Sequence, residues 1–333
     1  VAIVERMGIT VRYNTAVGKD VSINEIRSDY DALFVSPGAH GSRNLGIANE
    51  KAGGVINGIE FLRKVNKNEP VELGSTVLVI GGGNVAIDVA LTAKRCGAGD
   101  VHMACLESWD EMPAHKWEVR QALEEGITIH TSWGPKEIML SDEGCAAGID
   151  CKRCISVFDE SGRFNPCYED STTKRFMADT VILAIGQAID TDFLAGIQAI
   201  ERYPDGRIKS DPVTLQTSAE GIFAGGDAAT GPKMAIDAIA QGKEAAESIR
   251  RYLEGRDLRE GRLAREDTLV EDVPGGIAKK ARVAIPSIPV EERKGFHEVY
   301  LALNEKEAME EAKRCLSCRR CLGCRICEEF CKP

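Results

Sequence analysis

Two groups of residues in this 333-residue chain have types and spacings that could do chemistry. The first is a run of six cysteines in the last nineteen residues: Cys315, Cys318, Cys321, Cys324, Cys327 and Cys331. Thiolates separated by two or three residues can enclose a metal centre, because a short loop lets successive sulfurs turn inward. The second is Gly81-Gly82-Gly83-Asn84-Val85-Ala86, a G-x-G-x-x-A pattern directly after the apolar β-rich run 75–80. A glycine turn between a strand and a helix can bring backbone amides against a pyrophosphate.

The elements needed to position that turn follow it. Val85, Ala86, Val89, Ala90 and Ala93 are spaced for one apolar helix face, with Lys94 and Arg95 in the last turn and Gly97 as the stop. Residues 101–106 read as a second strand ending at Glu107. This is the first βαβ of a dinucleotide-binding fold. The first glycine allows the sharp turn, the second admits the pyrophosphate, and Ala86 permits close helix–strand packing. A carboxylate at Glu107 would accept hydrogen bonds from a ribose 2′-hydroxyl and repel a 2′-phosphate, which favours NADH over NADPH.

A second strand-and-glycine signal is Gly221-Ile222-Phe223-Ala224-Gly225-Gly226-Asp227, followed by a helix from near Met234 to about Leu253. Shorter strands breaking at glycine occur at 32–39, ending in Gly38-Ala39, and at 181–186, ending in Ala184-Ile185-Gly186. These elements predict an α/β protein, and the resemblance they carry implies two dinucleotide-binding (Rossmann-like) domains.

In order and content the motifs resemble the two-dinucleotide-binding-domain flavoproteins, specifically the glutamate synthase small-subunit group of pyridine nucleotide oxidoreductases. The resemblance spans about residues 1–253. It implies FAD and NAD(H) as cofactors, with NADP(H) possible, and an NAD domain inserted in an FAD domain. The implied divisions are an FAD domain at 1–65 and 187–254, an NAD(P) domain at 66–186, a connector at 255–310 and a metal-binding tail at 311–333. Members carry an N-terminal FAD-binding glycine fingerprint. None precedes Gly81, and the chain opens on Val1 rather than Met, so a start inside a domain is expected. By the resemblance, Gly38 and Ala39 lie on the FAD diphosphate side, and Ala184, Ile185 and Gly186 at the domain crossover. Gly226 and Asp227 face the flavin ribityl or ribose. Met234, Ala235 and Ile236 offer helix amides to the flavin pyrimidine edge, where reduced flavin carries negative charge. NADPH-using members have paired arginines where this chain has Cys105-Leu106-Glu107-Ser108. A second departure is Ala48-Asn49-Glu50 in place of Pro-Gly-Glu.

The spacing of Cys321, Cys324, Cys327 and Cys331 is that of bacterial ferredoxins, with Lys332 displacing the usual proline to Pro333. An iron–sulfur (4Fe-4S) cluster is the expected occupant. Zinc is the rival, although its paired ligands are ordinarily separated by a longer loop. Six thiols serve one four-ligand cluster with two spares, or a second cluster completed elsewhere. A short helix over 304–314, with Asn304 and Glu307 as a capping box, leads into the tail.

The expected function is electron transfer from NAD(P)H through FAD to the cluster and onward. The acceptor would be a partner redox subunit or ferredoxin-like protein, in a hetero-oligomer. Two alternatives stay open: a flavin disulfide reductase using Cys151 and Cys154, and a non-catalytic iron–sulfur or assembly subunit. Cys96, Cys105, Cys145 and Cys167 read as ordinary packing or surface thiols. A net charge of −10 and 5% aromatic residues argue against nucleic-acid binding. No apolar run approaches the roughly 18 residues of a membrane span. The absence of a secretory signal, with reduced cysteines, points to the cytoplasm.

Overall fold

A computed structural model describes residues 5–262 and 280–314. Helix α1 (Ile23–Asp29) precedes strands β1 (Leu33–Val35), β2 (Gly41–Ser42) and β3 (Val55–Asn57), then helix α2 (Gly58–Asn66). The central unit follows as β4 (Thr76–Ile80), α3 (Asn84–Arg95), β5 (Asp100–Ala104), α4 (Lys116–Glu124) and β6 (Thr128–His130). Three longer antiparallel strands come next: β7 (Trp133–Leu140), β8 (Ala146–Phe158) and β9 (Phe164–Met177). The remaining elements are β10 (Thr180–Leu183), β11 (Gln187–Ala188), β12 (Ile222–Ala224), α5 (Asp227–Thr230), α6 (Ala235–Leu253) and α7 (Glu305–Ala312).

The nucleotide-domain sheet is parallel, in the order β3-β10-β4-β5-β6. Both of its faces are covered, which is why β4 reads as an unbroken apolar run. Alternate β4 residues serve opposite cores, as the two-residue strand period requires. Val77 and Val79 pack with Phe61, Met103 and the α3 face of Ala86, Ile87, Val89, Ala90 and Ala93. Leu78 and Ile80 pack with Ile138, Ile149, Cys151 and Phe176 of the β7-β8-β9 sheet. Helix α3 ends as its sequence predicts, with Gly97 in the left-handed region at φ +99°. The strand at Val55–Asn57 belongs to this sheet, ahead of the boundary expected at residue 66.

A second unit is built on β1 paired in parallel with β12. Its core joins Ile23, Val35, Leu194, Ile197, Ile208, Ile222 and Ala224. The two units are linked by the short antiparallel β2–β11 pair. The departure at 48–50 has a geometric account. Asn49 takes the φ of +63° that a glycine would supply, and its side-chain amide donates to the Ile138 carbonyl at 2.9 Å. Glu50 then accepts from the amides of Leu45 and Gly46 at 2.8 and 2.7 Å. Helix α7 carries the expected capping box between Asn304 and Glu307. The chain opening at Val1 and the tail from Cys315 onward lie outside the described residues. No helix among the described residues is long and apolar enough to cross a membrane.

Candidate functional site

The glycine turn sits at the carboxyl end of β4. The Gly81 amide donates to the Ala104 carbonyl at 2.9 Å, tying the turn to the neighbouring strand. Gly81 has φ +143°, and a Cβ there would lie 2.3 Å from the Ala184 carbonyl oxygen, so this position admits glycine alone. Ala184 is itself held by its amide to Ile80 at 2.8 Å. The crossover residue thus forms one wall of the turn. Gly83 caps α3 without a side-chain hydrogen bond, leaving the amides of Asn84 and Val85 at the positive end of the helix.

Strand β5 stops at Ala104, so Glu107 lies three residues beyond it rather than at its end. A hydrogen bond from the Ser132 amide to the Glu107 carbonyl at 2.9 Å holds it there. Its side chain turns back to the glycines: a Cβ on Gly82 would meet Glu107 Oε2 at 2.6 Å. Burial pushes the Glu107 carboxyl above the usual carboxylate range. The site therefore has free amides at the helix start for phosphate and a carboxyl within reach of a ribose.

One part of this site has no motif in the sequence. After Glu107 the chain loops back over the turn: the Ala114 amide donates to the Gly82 carbonyl at 3.2 Å, and the His115 amide to Asn84 Oδ1 at 2.9 Å. Ser108 and Glu111 close the loop on itself, hydroxyl to carboxylate at 2.6 Å. Only the turn-prone Pro113 between Met112 and Ala114 hints at it in the sequence.

The flavin-side candidates gather at one end of the β1–β12 pair. Gly38 and Ala39 follow β1, Gly226 and Asp227 follow β12, and the Gly225 amide donates to the Val35 carbonyl at 3.2 Å. The Gly226 amide donates to Gln241 Oε1 of α6 at 2.7 Å, and Asp227 Oδ1 accepts from the Lys233 amide at 3.2 Å. Asp227 therefore begins α5 and also fixes the approach to α6. Met234 caps α6 without a side-chain hydrogen bond. The amides of Ala235 and Ile236 open the first turn of α6 beside exposed Met234 and Ile236 side chains. Such a cradle of uncapped amides and adjoining apolar surface fits a flavin edge. Gly186 (φ +115°) and Ile185 do not join either cluster. Gly186 accepts from Arg43 at the β2–β11 crossover, and Ile185 packs on the β7–β9 side of the nucleotide sheet.

The paired-thiol alternative fares poorly. Cys151 is fully buried, and burial pushes its thiol up to about 12. Cys154, also buried and raised, donates to the Ser156 carbonyl at 3.4 Å. A nucleophilic thiol needs a lowered, not a raised, pKa. Cys105 behaves like Cys151, at about 12. No group of three His, Cys, Asp or Glu among the described residues could hold a metal, and Cys315, Cys318, Cys321, Cys324, Cys327 and Cys331 lie outside them.

Residues 3–242 match the family described as pyridine nucleotide-disulphide oxidoreductase. The chain belongs to that family. Within it, the chain is 40% identical over 334 residues to the NADP(+)-dependent formate dehydrogenase subunit beta of Moorella thermoacetica, covering 95% of this chain and 46% of the relative. It is 34% identical to the NADPH-Fe(3+) oxidoreductase subunit beta of Geobacter sulfurreducens, covering 95% of this chain and 52% of that one. It is also 34% identical to the glutamate synthase [NADPH] small chain of Escherichia coli, over 74% of this chain and 56% of that protein. The chain thus spans about half the length of the curated relatives it matches. Among solved structures, Mycobacterium tuberculosis FprA in complex with NADPH superposes with a TM-score of 0.57 at 18% identity, over 73% of this chain and 68% of FprA. Thioredoxin reductase from T. acidophilum gives 0.52 at 20% identity, over 67% and 66%. These two likenesses speak to the fold alone.

Proposed function

We propose that this chain is the coenzyme-binding part of an oxidoreductase subunit. It would pass electrons from a pyridine nucleotide through FAD to the cysteine-rich tail and a partner redox protein. The observation that carries this reading is the glycine turn walled by Ala184, with Glu107 beneath it and uncapped helix amides at its mouth. The amides of Asn84 and Val85 hold the pyrophosphate, and Glu107 receives the ribose. The loop over 108–115 keeps the turn shaped and shields it from water. On the other unit, Gly38, Ala39, Gly226 and Asp227 hold the flavin's sugar and phosphate side, and the amides of Ala235 and Ile236 favour negative charge at the flavin edge. FAD, when bound, supplies an acceptor that takes two electrons together and releases them singly. The protein's contribution to hydride transfer is positioning, and no acid–base side chain is required.

The relatives' names carry NADP(H), whereas Glu107 argues for a free 2′-hydroxyl. The two coenzymes are compared directly by steady-state kinetics on the full-length protein with a dye acceptor. A kcat/KM favouring NADH supports the Glu107 reading, and a strong NADPH preference removes it. Four of the six tail thiols are assigned to a 4Fe-4S cluster, tested by iron, zinc and acid-labile sulfide analysis. Zinc without sulfide overturns the electron path. The partner and hetero-oligomer are supported by the relatives' names, which call them a subunit beta or a small chain, and co-purification tests them. A cytoplasmic location goes with the reduced thiols and is tested by fractionation.

A further inference from the structure

The chain beyond α6 returns to the nucleotide domain and lies across α4. Residues 286–301 fold back on themselves: the Ile288 amide donates to the Val299 carbonyl at 3.0 Å, and Leu301 to Pro286 at 2.7 Å. Val299 is buried beneath this turn. Arg293 enters a pocket at the carboxyl end of α4, where its side chain is 6% exposed and lies 3.6 Å from Glu125, itself 4% exposed. Glu125 also receives Arg95, from the end of α3, at 3.3 Å, and Gln121 at 3.0 Å. The Tyr300 hydroxyl donates to Gln121 Oε1 at 3.1 Å. Arg293 also donates to the adjacent Glu124 Oε2 at 3.3 Å, so two neighbouring carboxylates tie the ends of two nucleotide-domain helices to a segment 169 residues beyond Glu124. A buried carboxylate with two donors, Arg95 and Gln121, and a third, ion-paired cation in Arg293 is more tightly fixed in geometry than a solvated surface pair.

The other end of α4 reaches the glycine turn. The Tyr300 ring meets Trp117 edge-on at 6.1 Å, and Trp117 stacks on His115 at 6.4 Å. The His115 amide is the donor to Asn84 Oδ1, and its neighbour Ala114 donates to Gly82. Contacts therefore run without a gap from the returning segment, along α4, to the loop over the turn.

We propose that residues 283–301 are a strap, latched by Arg293 and Glu125, that fixes α4 and through it the 108–115 loop over the glycine turn, so that strap closure and dinucleotide binding strengthen each other. This rests on the reading that the turn binds a pyridine dinucleotide. Coupling of this kind is reciprocal: a ligand that prefers the closed loop tightens the strap, and loosening the strap weakens the ligand by the same factor. The strap also continues into α7, since the Val283 amide donates to Glu311 at 2.8 Å. The segment bearing the terminal cysteines consequently leaves from an element anchored to the nucleotide domain.

The test is amide hydrogen exchange on the full-length protein, with and without NADH and NADPH, beside titration of nucleotide affinity. It uses wild type, Arg293→Met and Tyr300→Phe. The expected result is slower exchange of the Ile288 and Leu301 amides on adding nucleotide. Arg293→Met should speed that exchange more than about tenfold while β4 amides stay unchanged, because one partner of a buried pair has been removed. It should weaken nucleotide binding at least about fivefold, with Tyr300→Phe smaller in the same direction. Wild-type nucleotide affinity in both variants, or strap exchange indifferent to bound nucleotide, overturns the coupling and leaves the reading of the turn intact. Failure of the wild-type protein to bind either nucleotide overturns both. If Arg293→Met loosens the whole domain, Tyr300→Phe decides between these outcomes.

Discussion

Glu107 occupies the space that a side chain on Gly82 would need, its Oε2 lying 2.6 Å from where that Cβ would stand. The second glycine of the turn and the carboxyl after the second strand are therefore one feature. Neither position can be changed without altering the other's surroundings.

The first and third glycines of the turn are expected to differ sharply. Gly81→Ala places a Cβ 2.3 Å from a backbone oxygen in a φ of +143°. It should lower the unfolding free energy by about 2 kcal/mol or more, from strain alone at the upper end of the usual range. Gly83→Ala meets nothing nearer than Pro113 at 4.0 Å. It should cost no more than about 1 kcal/mol, the loss expected where alanine replaces glycine at an N-cap. Urea denaturation of both variants checks the contrast, and equal losses would contradict it.

Glu107→Gln should shift coenzyme choice toward NADPH by about tenfold in the ratio of kcat/KM values, since a buried charge facing a 2′-phosphate is removed. An unchanged ratio would detach Glu107 from the ribose.

The same residue has a pH signature. Its pKa is raised in the fold by burial, so ionising it there costs stability. That cost is absent at low pH and appears as pH rises through the folded-state pKa. Glu107→Gln should therefore melt above wild type near pH 8, with the gap closing toward about pH 5. Melting curves across that range check the sign. A gap that widens on acidification would mean the carboxyl is favoured as an anion.

Thiol accessibility separates the readings of the middle cysteines. Cys145 and Cys167 are exposed, while Cys105 and Cys151 are buried with thiols near 12. Alkylation of the native protein followed by peptide mass mapping should label Cys145 and Cys167 and spare Cys105 and Cys151. Cys151→Ser should keep its NAD(P)H-to-dye activity. Loss of that activity in a folded variant would revive the disulfide-reductase route.

What the sequence made legible follows from how local each signal is. The β4-turn-α3 unit is written in consecutive residues, so its helix face, its stop at Gly97 and its amide-rich mouth stand where the pattern puts them. The long helix from Ala235 to Leu253 and the capping box at Asn304 were legible for the same reason. Residues whose partners are distant in sequence were not. Val55–Asn57 joins the nucleotide sheet through β10, more than a hundred residues later, and three residues carry no period to announce it. The 108–115 loop and the strap depend on Asn84, Gln121 and Glu125, which look like ordinary helix residues until the fold brings His115, Tyr300 and Arg293 to them.

The central claim is that this chain, within its full-length protein, delivers electrons from a pyridine nucleotide to a bound flavin. Anaerobic titration of the flavin-loaded full-length protein with NADH, and separately with NADPH, tests it most directly. The account predicts that one of them bleaches the yellow flavin absorbance, and that Gly81→Ala loses the response. A flavin spectrum unmoved by either nucleotide would contradict it.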